Sequence, residues 1–507
     1  MHILDLPPEL LARILVTYVR DGPQLQSSGI HPSHKRYNVL FVCRRWYSIA
    51  LECPEMWSVI IHPSTFSYTK AMVERSKDAP LHVECMSRGM VVDYYDMNTL
   101  NLIFSQNHRI IHLEISMFPI ILNLLSSFPR PFSLPAARYI MSKPGIFGNA
   151  PANYPFSAPA LRSLHAEGYS FQQLRAAGAL PSTILHLTGG SDEEELRQFL
   201  EHLRNTPLLE KLVWHPPLQN SGVPHRFQVL SLEHLTTLNL TLRTPDLHFL
   251  KYISCPPGVS LTLSILRGHV FDVDMFSSTL EYAFAISGIA SISGKGEEIR
   301  MARLSVQNKI DFVCWTNPCP ESYSGETFPV RSDPPRLTIS LLSREVPLHM
   351  VEDVRGLCGS LTTKLELGVV DTLILDNYCG EHQPLLTSLT EVLSRMLSVH
   401  ALITMGWHWN SLEKFLIQSE PQMIFPRLET IHVAAAQIES HYDVSHGEPA
   451  ILMGIQRLLD HRRLQASTVT DLHLWDNTVH PVPLGHDMLD ILVQRNSSTA
   501  ITLHHPG

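Results

Sequence analysis

The octapeptide Pro159-Ala160-Leu161-Arg162-Ser163-Leu164-His165-Ala166 places apolar side chains at its third, sixth and eighth positions. A proline with fixed φ, then a leucine, then an alternating apolar pair predicts a turn that runs into a short strand buried on one side. The pattern returns at Pro207–Trp214 and Pro426–Val433. Shorter relatives of it are Ile111-x-Leu113-x-Ile115, Leu185-x-Leu187, Leu235-x-x-Leu238-x-Leu240-x-Leu242, Leu261-x-Leu263-x-Ile265, Leu337-x-Ile339, Leu365-x-Leu367 and Leu472-x-Leu474.

Between Leu164 and Leu263 the central leucines fall at 164, 187, 212, 238 and 263, at intervals of 23, 25, 26 and 25. A period near 25 lies in the range of leucine-rich repeats, in which one strand and one helix cannot close a core alone but a stack can. Helical candidates sit between the rows. One is Ser191–Arg204, whose acids Asp192 and Glu193–Glu195 occupy the first turn, where the helix dipole favours them. Regular leucine-rich repeats carry Asn or Cys where this chain has Tyr169, Pro217, Arg243 and Ala436. The expected architecture is therefore α/β, an irregular solenoid of parallel strands alternating with helices over 57–507. Residues 268–335 break the period and predict an insertion or a loop, and 434–450 is a second irregular stretch.

Upstream, Asp5 is placed to cap a helix whose first turn holds Pro7 and Pro8. Leu6, Leu10, Leu11, Ile14, Leu15, Tyr18 and Val19 follow at helical spacing and make one apolar face. Glycines, prolines and serines predict a loop over 21–33. Val39, Val42, Cys43, Trp46, Ile49 and Ala50 then predict a second amphipathic helix, stopped at Cys53-Pro54. Trp57, Val59 and Ile61 alternate like a strand. Two short helices cannot bury so many large apolar groups against each other, so the surplus must face the rest of the chain or a partner.

Leu6-Pro7-Pro8-Glu9-Leu10-Leu11-x-x-Ile14-Leu15, Val42-Cys43-Arg44-Arg45-Trp46 and Pro54-x-x-Trp57 together resemble an F-box of the kind found in fungal F-box-like proteins. The pattern continues in Glu74-Arg75-Ser76 and Ala79-Pro80-Leu81-His82-Val83. It covers about 1–85; the segment 20–37 is longer than the compact form. The resemblance implies an F-box-like domain over 1–56 that docks on the Skp adaptor and, through it, on cullin. Leu6, Pro7, Leu10, Leu11, Ile14, Leu15, Val42, Cys43 and Trp46 would make the contact. It also implies that the solenoid carries an unknown target protein for ubiquitin transfer, with no bond chemistry of its own. A cap that merely seals the end of the stack is the alternative. Outward strand positions such as Arg162, Ser163, Glu210, Lys211, Thr236, Thr237, Glu429 and Thr430 are the candidate target contacts.

Composition narrows the rest. The 507 residues are 44% hydrophobic and 17% charged, which excludes wholesale disorder. A net charge of −9 and short basic pairs (Lys35-Arg36, Arg44-Arg45, Arg462-Arg463) argue against nucleic-acid binding. No apolar run reaches the roughly 18 residues of a membrane span. Absence of a basic-then-apolar leader, and eight scattered cysteines without CxxC spacing, predict reduced thiols in the cytoplasm or nucleus.

No cofactor is expected. Gly288 and Gly294-Lys295-Gly296 have five residues between the glycines and no hydroxyl after the lysine, so they do not make a phosphate loop. His31/His34, His441/His446 and His504/His505 lack partners at zinc spacing, and Trp407-His408-Trp409 reads as a strand or core edge. No GxSxG elbow occurs. Protonating all 28 histidines would carry the charge from −9 to +19 (28 − 9), which predicts pH-dependent solubility between about pH 7 and 5.5.

Overall fold

The computed structural model describes residues 6–21, 38–61, 65–85, 96–117, 119–129, 131–144, 153–188, 193–215, 229–243, 250–266, 273–289, 296–306, 309–317, 334–342, 350–376, 389–390, 392–405, 417, 424–434, 450–465, 469–475, 493–494, 496 and 498–504. It is mixed α/β and divides into two units, Met1–Gln219 and Asn220–Gly507.

In the first unit, α1 (Pro8–Asp21), α2 (Arg44–Glu52) and α3 (Pro54–Trp57) precede a run of seven strands. These are β1 (Val59–Ile61), β2 (Leu81–Cys85), β3 (Ile110–Met117), β4 (Tyr139–Pro144), β5 (Ser163–Glu167), β6 (Ile184–Thr188) and β7 (Lys211–Trp214). Every strand pairs in parallel with the next one in sequence. Parallel neighbours need crossovers, and here all of them advance the same way. The order among these seven strands never reverses, so they form no switch point of the type that holds nucleotides in doubly wound sheets.

Register explains the core. Ile60, Val83, Leu113, Ile140, Leu164, Leu185 and Leu212 stand side by side across the seven strands, all buried. Helices α4 (Phe66–Arg75), α5 (Met97–Phe104), α6 (Pro119–Ser126), α7 (Phe171–Ala177) and α8 (Glu193–Arg204) occupy crossovers. Phe199 of α8 touches both Phe171 of α7 and Trp214 of β7, with ring centroids 5.4 and 4.9 Å apart. Local chemistry sets the helix ends. Asp96 caps α5 by accepting from Asn98 N at 3.2 Å. Ser170 and Gln173 form a capping box on α7, and Gly178, at φ 67°, stops it.

This register corrects the leucine ladder read from sequence. Leu164 lies opposite Leu185, not Leu187, and Leu238 lies opposite Leu261, not Leu263. The true steps are 21 from 164 to 185 and 27 from 185 to 212. Side-chain alternation let two leucines of one strand compete for the same place, since both point inward. Tyr139–Pro144, which has no leucine, is a full member of the sheet.

In the second unit, the strands of the main sheet are β8 (Thr237–Arg243), β9 (Ser260–Leu266), β10 (Met301–Val306), β11 (Lys309–Trp315), β12 (Leu337–Leu342), β13 (Thr372–Asp376), β14 (Ala401–Met405), β15 (Thr430–Ala434), β16 (Asp471–Trp475) and β17 (Ala500–His504). Their spatial order is β8, β9, β12, β11, β10, then β13 to β17 in sequence. Among the described strands of this sheet, only β11 runs antiparallel to its neighbours. The described parts of 268–335 contribute α9 (Val273–Ser287), β10 and β11, while 318–333 lie outside the described residues. The hairpin of β10 and β11 is interleaved between β12 and β13. Gly288, at φ 71°, is the residue that ends α9. Most of 434–450 lies outside the described residues.

Leu365-x-Leu367 is not a strand. It closes α10 (Met350–Lys364) and enters a 3-10 turn, and the strand begins at Thr372. Helices α9 and α10 pack together, with Lys364 bound to Glu281 across the pair. The last helix, α11 (Ala450–Leu464), is held to the turn before β15 by buried Arg462. The 56/57 boundary expected from sequence falls inside α3.

Candidate functional site

The apolar face of α1 is divided. Leu11, Leu15 and Val19 are buried, Leu11 and Leu15 at 0% and 1% exposure, and α1 packs on α2 and α3. One position earlier on the helix, Leu10 and Ile14 remain 48% and 43% exposed, and Tyr18 is exposed with them. A face assembled from steps of one, three and four is wider than a single contact stripe, so half of it can pack while half stays outside. Leu11 and Leu15 therefore belong to the interior and cannot touch a partner unless α1 moves.

The second helix starts later than the apolar spacing predicts. Residues 41–43 are turn and extended chain, and Cys43, at φ −165°, precedes α2. Val39 is buried, whereas Phe41 at 82%, Val42 and Tyr47 are exposed. Trp46 is half-buried, and its indole Nε1 has no hydrogen-bond partner. Cys43 and Leu6 are half-buried and Pro7 is exposed. Arg45 donates from Nη2 to the Leu6 carbonyl at 2.6 Å, which sets the start of α2 beside the start of α1. Residues 22–37, which include most of the expected loop 21–33, lie outside the described residues.

Of the nine sequence candidates, Pro7, Leu10, Ile14 and Val42 are exposed, Leu6, Cys43 and Trp46 are half-buried, and Leu11 and Leu15 are interior. Phe41 and Tyr47 were missed because the helix was read as continuous from Val39; a break at 41–43 turns both outward. The neighbouring motif has a structural role. Trp57 donates to the Ala50 carbonyl at 2.8 Å, and the Arg75 guanidinium lies 4.6 Å over the Trp57 ring. Ser76 donates to Val73 O and accepts from Arg109 at 2.6 Å, which closes the end of α4.

The outward face of the first unit's strands is the second candidate surface. Its cross-strand rows are rich in rings. His82, His112 and Tyr139 stack in sequence, with centroids 5.4 and 4.1 Å apart. His165 and His186 lie 3.5 Å apart, and His215 is 5.4 Å from His186. All of these side chains are half-buried. Burial, helped by Lys143, His215 and Lys211 against the opposing Glu114, pushes His165 down to about 4. Burial, followed by His165, His215, Lys211 and Lys143, pushes His186 down to about 3. His215 is also lowered, by burial, with Glu167 opposing.

Ser163 and Lys211, two of the proposed target contacts, occupy one cross-strand row with Ile184 between them. Arg162 and Glu210 are exposed at the strand entries, as are Thr236 and Glu429 in the second unit. Thr237 and Thr430 are half-buried in β8 and β15. The histidine row escaped sequence reading because its members are about 20 to 30 residues apart. Only the parallel register brings them together.

Among the described residues, no group of three or more His, Cys, Asp or Glu side chains could hold a metal ion, and no helix is long and apolar enough to cross a membrane. Cys43, Cys53, Cys85, Cys255, Cys314 and Cys358 are free thiols. Cys319, Cys379, Gly294-Lys295, His31/His34, His441/His446 and Trp407-His408-Trp409 lie outside the described residues. Comparison with family models and with curated proteins finds no match.

Proposed function

We propose that the chain is a non-catalytic recognition subunit of a Skp–cullin–F-box ubiquitin ligase. Its N-terminal helices dock on the Skp adaptor, and its strand-and-helix repeats, an irregular leucine-rich-repeat-like solenoid, carry a target protein. The observation that carries this reading is the outward stripe Leu10, Ile14 and Tyr18 on α1, joined in sequence to the F-box-like pattern. A contiguous apolar patch left exposed on a helix marks an interaction surface, whereas apolar residues scattered singly need no explanation. Trp46, half-buried with a free indole N–H, is the residue type that most often dominates such interfaces. The chain's contribution is positioning, which raises the effective concentration of target lysines near the conjugating enzyme. Cytoplasm or nucleus is the compartment that this role and the reduced cysteines imply.

The burial of Leu11, Leu15 and Val19 supports a second reading, a scaffold whose helices only cap the stack. Co-expression of the full chain with a Skp adaptor separates the two. Stable co-purification that Ile14→Asp abolishes supports the ligase subunit. A chain that is soluble and monodisperse alone, and ignores the adaptor, supports the scaffold.

A further inference from the structure

Of the 39 lysines and arginines in the chain, only 10 are lysines. Three lysine-free runs, 78–142, 144–210 and 415–507, carry four, four and five arginines. Both residue types supply one positive charge and serve about equally well in an exposed helix, but only lysine offers an amine that accepts ubiquitin. Some of the arginines use the guanidinium fork, which lysine could not replace. Arg462 donates to the carbonyls of Ile424 and Phe425, and Arg109 donates to Ser76 and to the Ala79 carbonyl. Others make no such use of it. Arg138, Arg395 and Arg427 are exposed and find no side-chain hydrogen bond or ion pair among the described residues.

Several of the lysines are poorly placed as acceptors. Lys143 and Lys211 are half-buried on the outward face of β4 and β7, where a target would lie over them. Lys364 is half-buried and bound to Glu281, and Lys70 pairs with Glu74 at 3.9 Å. Lys77 and Lys251 are exposed. Lys35, Lys295, Lys414 and the side chain of Lys309 lie outside the described residues.

We propose that arginine stands in for lysine on this chain so that ubiquitin passes to the bound target and not to the chain itself. The inference rests on the ligase role proposed above. In the transfer, a lysine Nζ attacks the carbonyl carbon of the thioester that joins ubiquitin to the conjugating enzyme. An isopeptide bond forms, the C–S bond breaks, and the cysteine leaves as a thiol with the proton that the amine gives up. Chain and target are held beside the same thioester, so they meet it at the same effective concentration and share it in proportion to the free amines they present. An arginine keeps the charge of its position and does not compete.

The test gives the full chain a C-terminal Gly/Ser tail bearing three lysines, which stands in for the target. The tailed chain is assembled with the adaptor, cullin and a ubiquitin-charged conjugating enzyme, and mass spectrometry measures ubiquitin on the tail and on the body. The expected result is at least fivefold more ubiquitin on the tail than on the whole body. Arg138→Lys with Arg395→Lys and Arg427→Lys keeps the charge and restores three exposed amines; it should raise ubiquitin on the body at least threefold, at those positions. Circular dichroism and unchanged adaptor capture verify that this variant is folded. A wild-type body modified as heavily as the tail, or a triple variant modified no more than wild type, would overturn the inference and leave the ligase role standing. Failure of the adaptor to bind, or binding without transfer to the tail, would remove that role and the inference with it.

Discussion

Arg45 Nη2 lies 2.6 Å from the carbonyl oxygen of Leu6, 39 residues away in sequence, and this bond holds the start of α1 against the start of α2. The bond is open to solvent, with Arg45 exposed and Leu6 half-buried, so it competes with water and contributes about 1 kcal/mol. Removing it should loosen α1 locally without unfolding the unit. Arg45→Ala is expected to speed hydrogen exchange of the α1 amides about fivefold while the global melt stays put. Unchanged exchange over Leu10–Leu15 would show that the packing of Leu11 and Leu15 alone fixes the helix.

The two stripes of α1 predict opposite behaviour at adjacent positions. Leu15 is buried, so Leu15→Ala should cost about 2–5 kcal/mol, through lost transfer energy and a residual cavity. Ile14 is 43% exposed, and Ile14→Ala should stay within about 0.5 kcal/mol. Thermal or urea melts of the two variants check this. If the proposed adaptor docking holds, the ranking should invert in the adaptor assay: Ile14→Asp is expected to remove capture from a protein that melts normally.

The histidine row makes stability depend on pH with a definite sign. His165 and His186 are pushed to about 4 and about 3 in the folded chain, below the ordinary value of about 6.5. The unfolded chain therefore binds more protons between those limits, and stability falls as pH drops from about 6.5 toward 4. Half-exposure screens the effect, so each ring contributes on the order of 1 kcal/mol. His186→Phe should flatten the slope of the urea midpoint between pH 6.5 and 4.5. A slope equal to wild type there would remove the row from the acid response. The same burial trims the charge swing expected from 28 histidines, because His165, His186, His202 and His215 all resist protonation.

What the sequence made legible was one-dimensional. Alternation in Leu238-x-Leu240-x-Leu242 marked a strand, and the acids of Glu193–Glu195 marked a helix start, because each signal lies within a few residues of its cause. The interleaving of β10 and β11 was not legible: strand pairing order depends on contacts between Met301–Val306 and Thr372–Asp376, about 70 residues apart. Leu365-x-Leu367 carried the alternation of a strand and became a helix end, since the period is short enough for either. At the candidate site, the sequence marked the apolar residues of α1 but not which stripe would face inward. The packing of α2 and α3 settles that, and neither helix is visible in the spacing of α1. The histidine row needed the register itself.

Arg462 offers a test of how the last repeats are held. It is 1% exposed, and it donates from Nη1 to the Phe425 carbonyl at 2.7 Å and from Nη2 to the Ile424 carbonyl at 2.6 Å. Phe425 sits at φ 55°, a conformation that a bulky residue adopts only under constraint. Burial lowers the guanidinium to about 10, which still leaves it charged at neutral pH. The two bonds thus fix a strained turn at Phe425, five residues before β15 begins. Arg462→Met keeps volume and loses the donors, and it should cost about 2–4 kcal/mol, because two buried carbonyls lose charged partners. Arg462→Ala should cost more, by the added cavity. Urea denaturation ranks them. If Arg462→Met were as stable as wild type, the stem's packing rather than its hydrogen bonds would be what holds the turn, and Phe425 would have to keep its backbone conformation unaided.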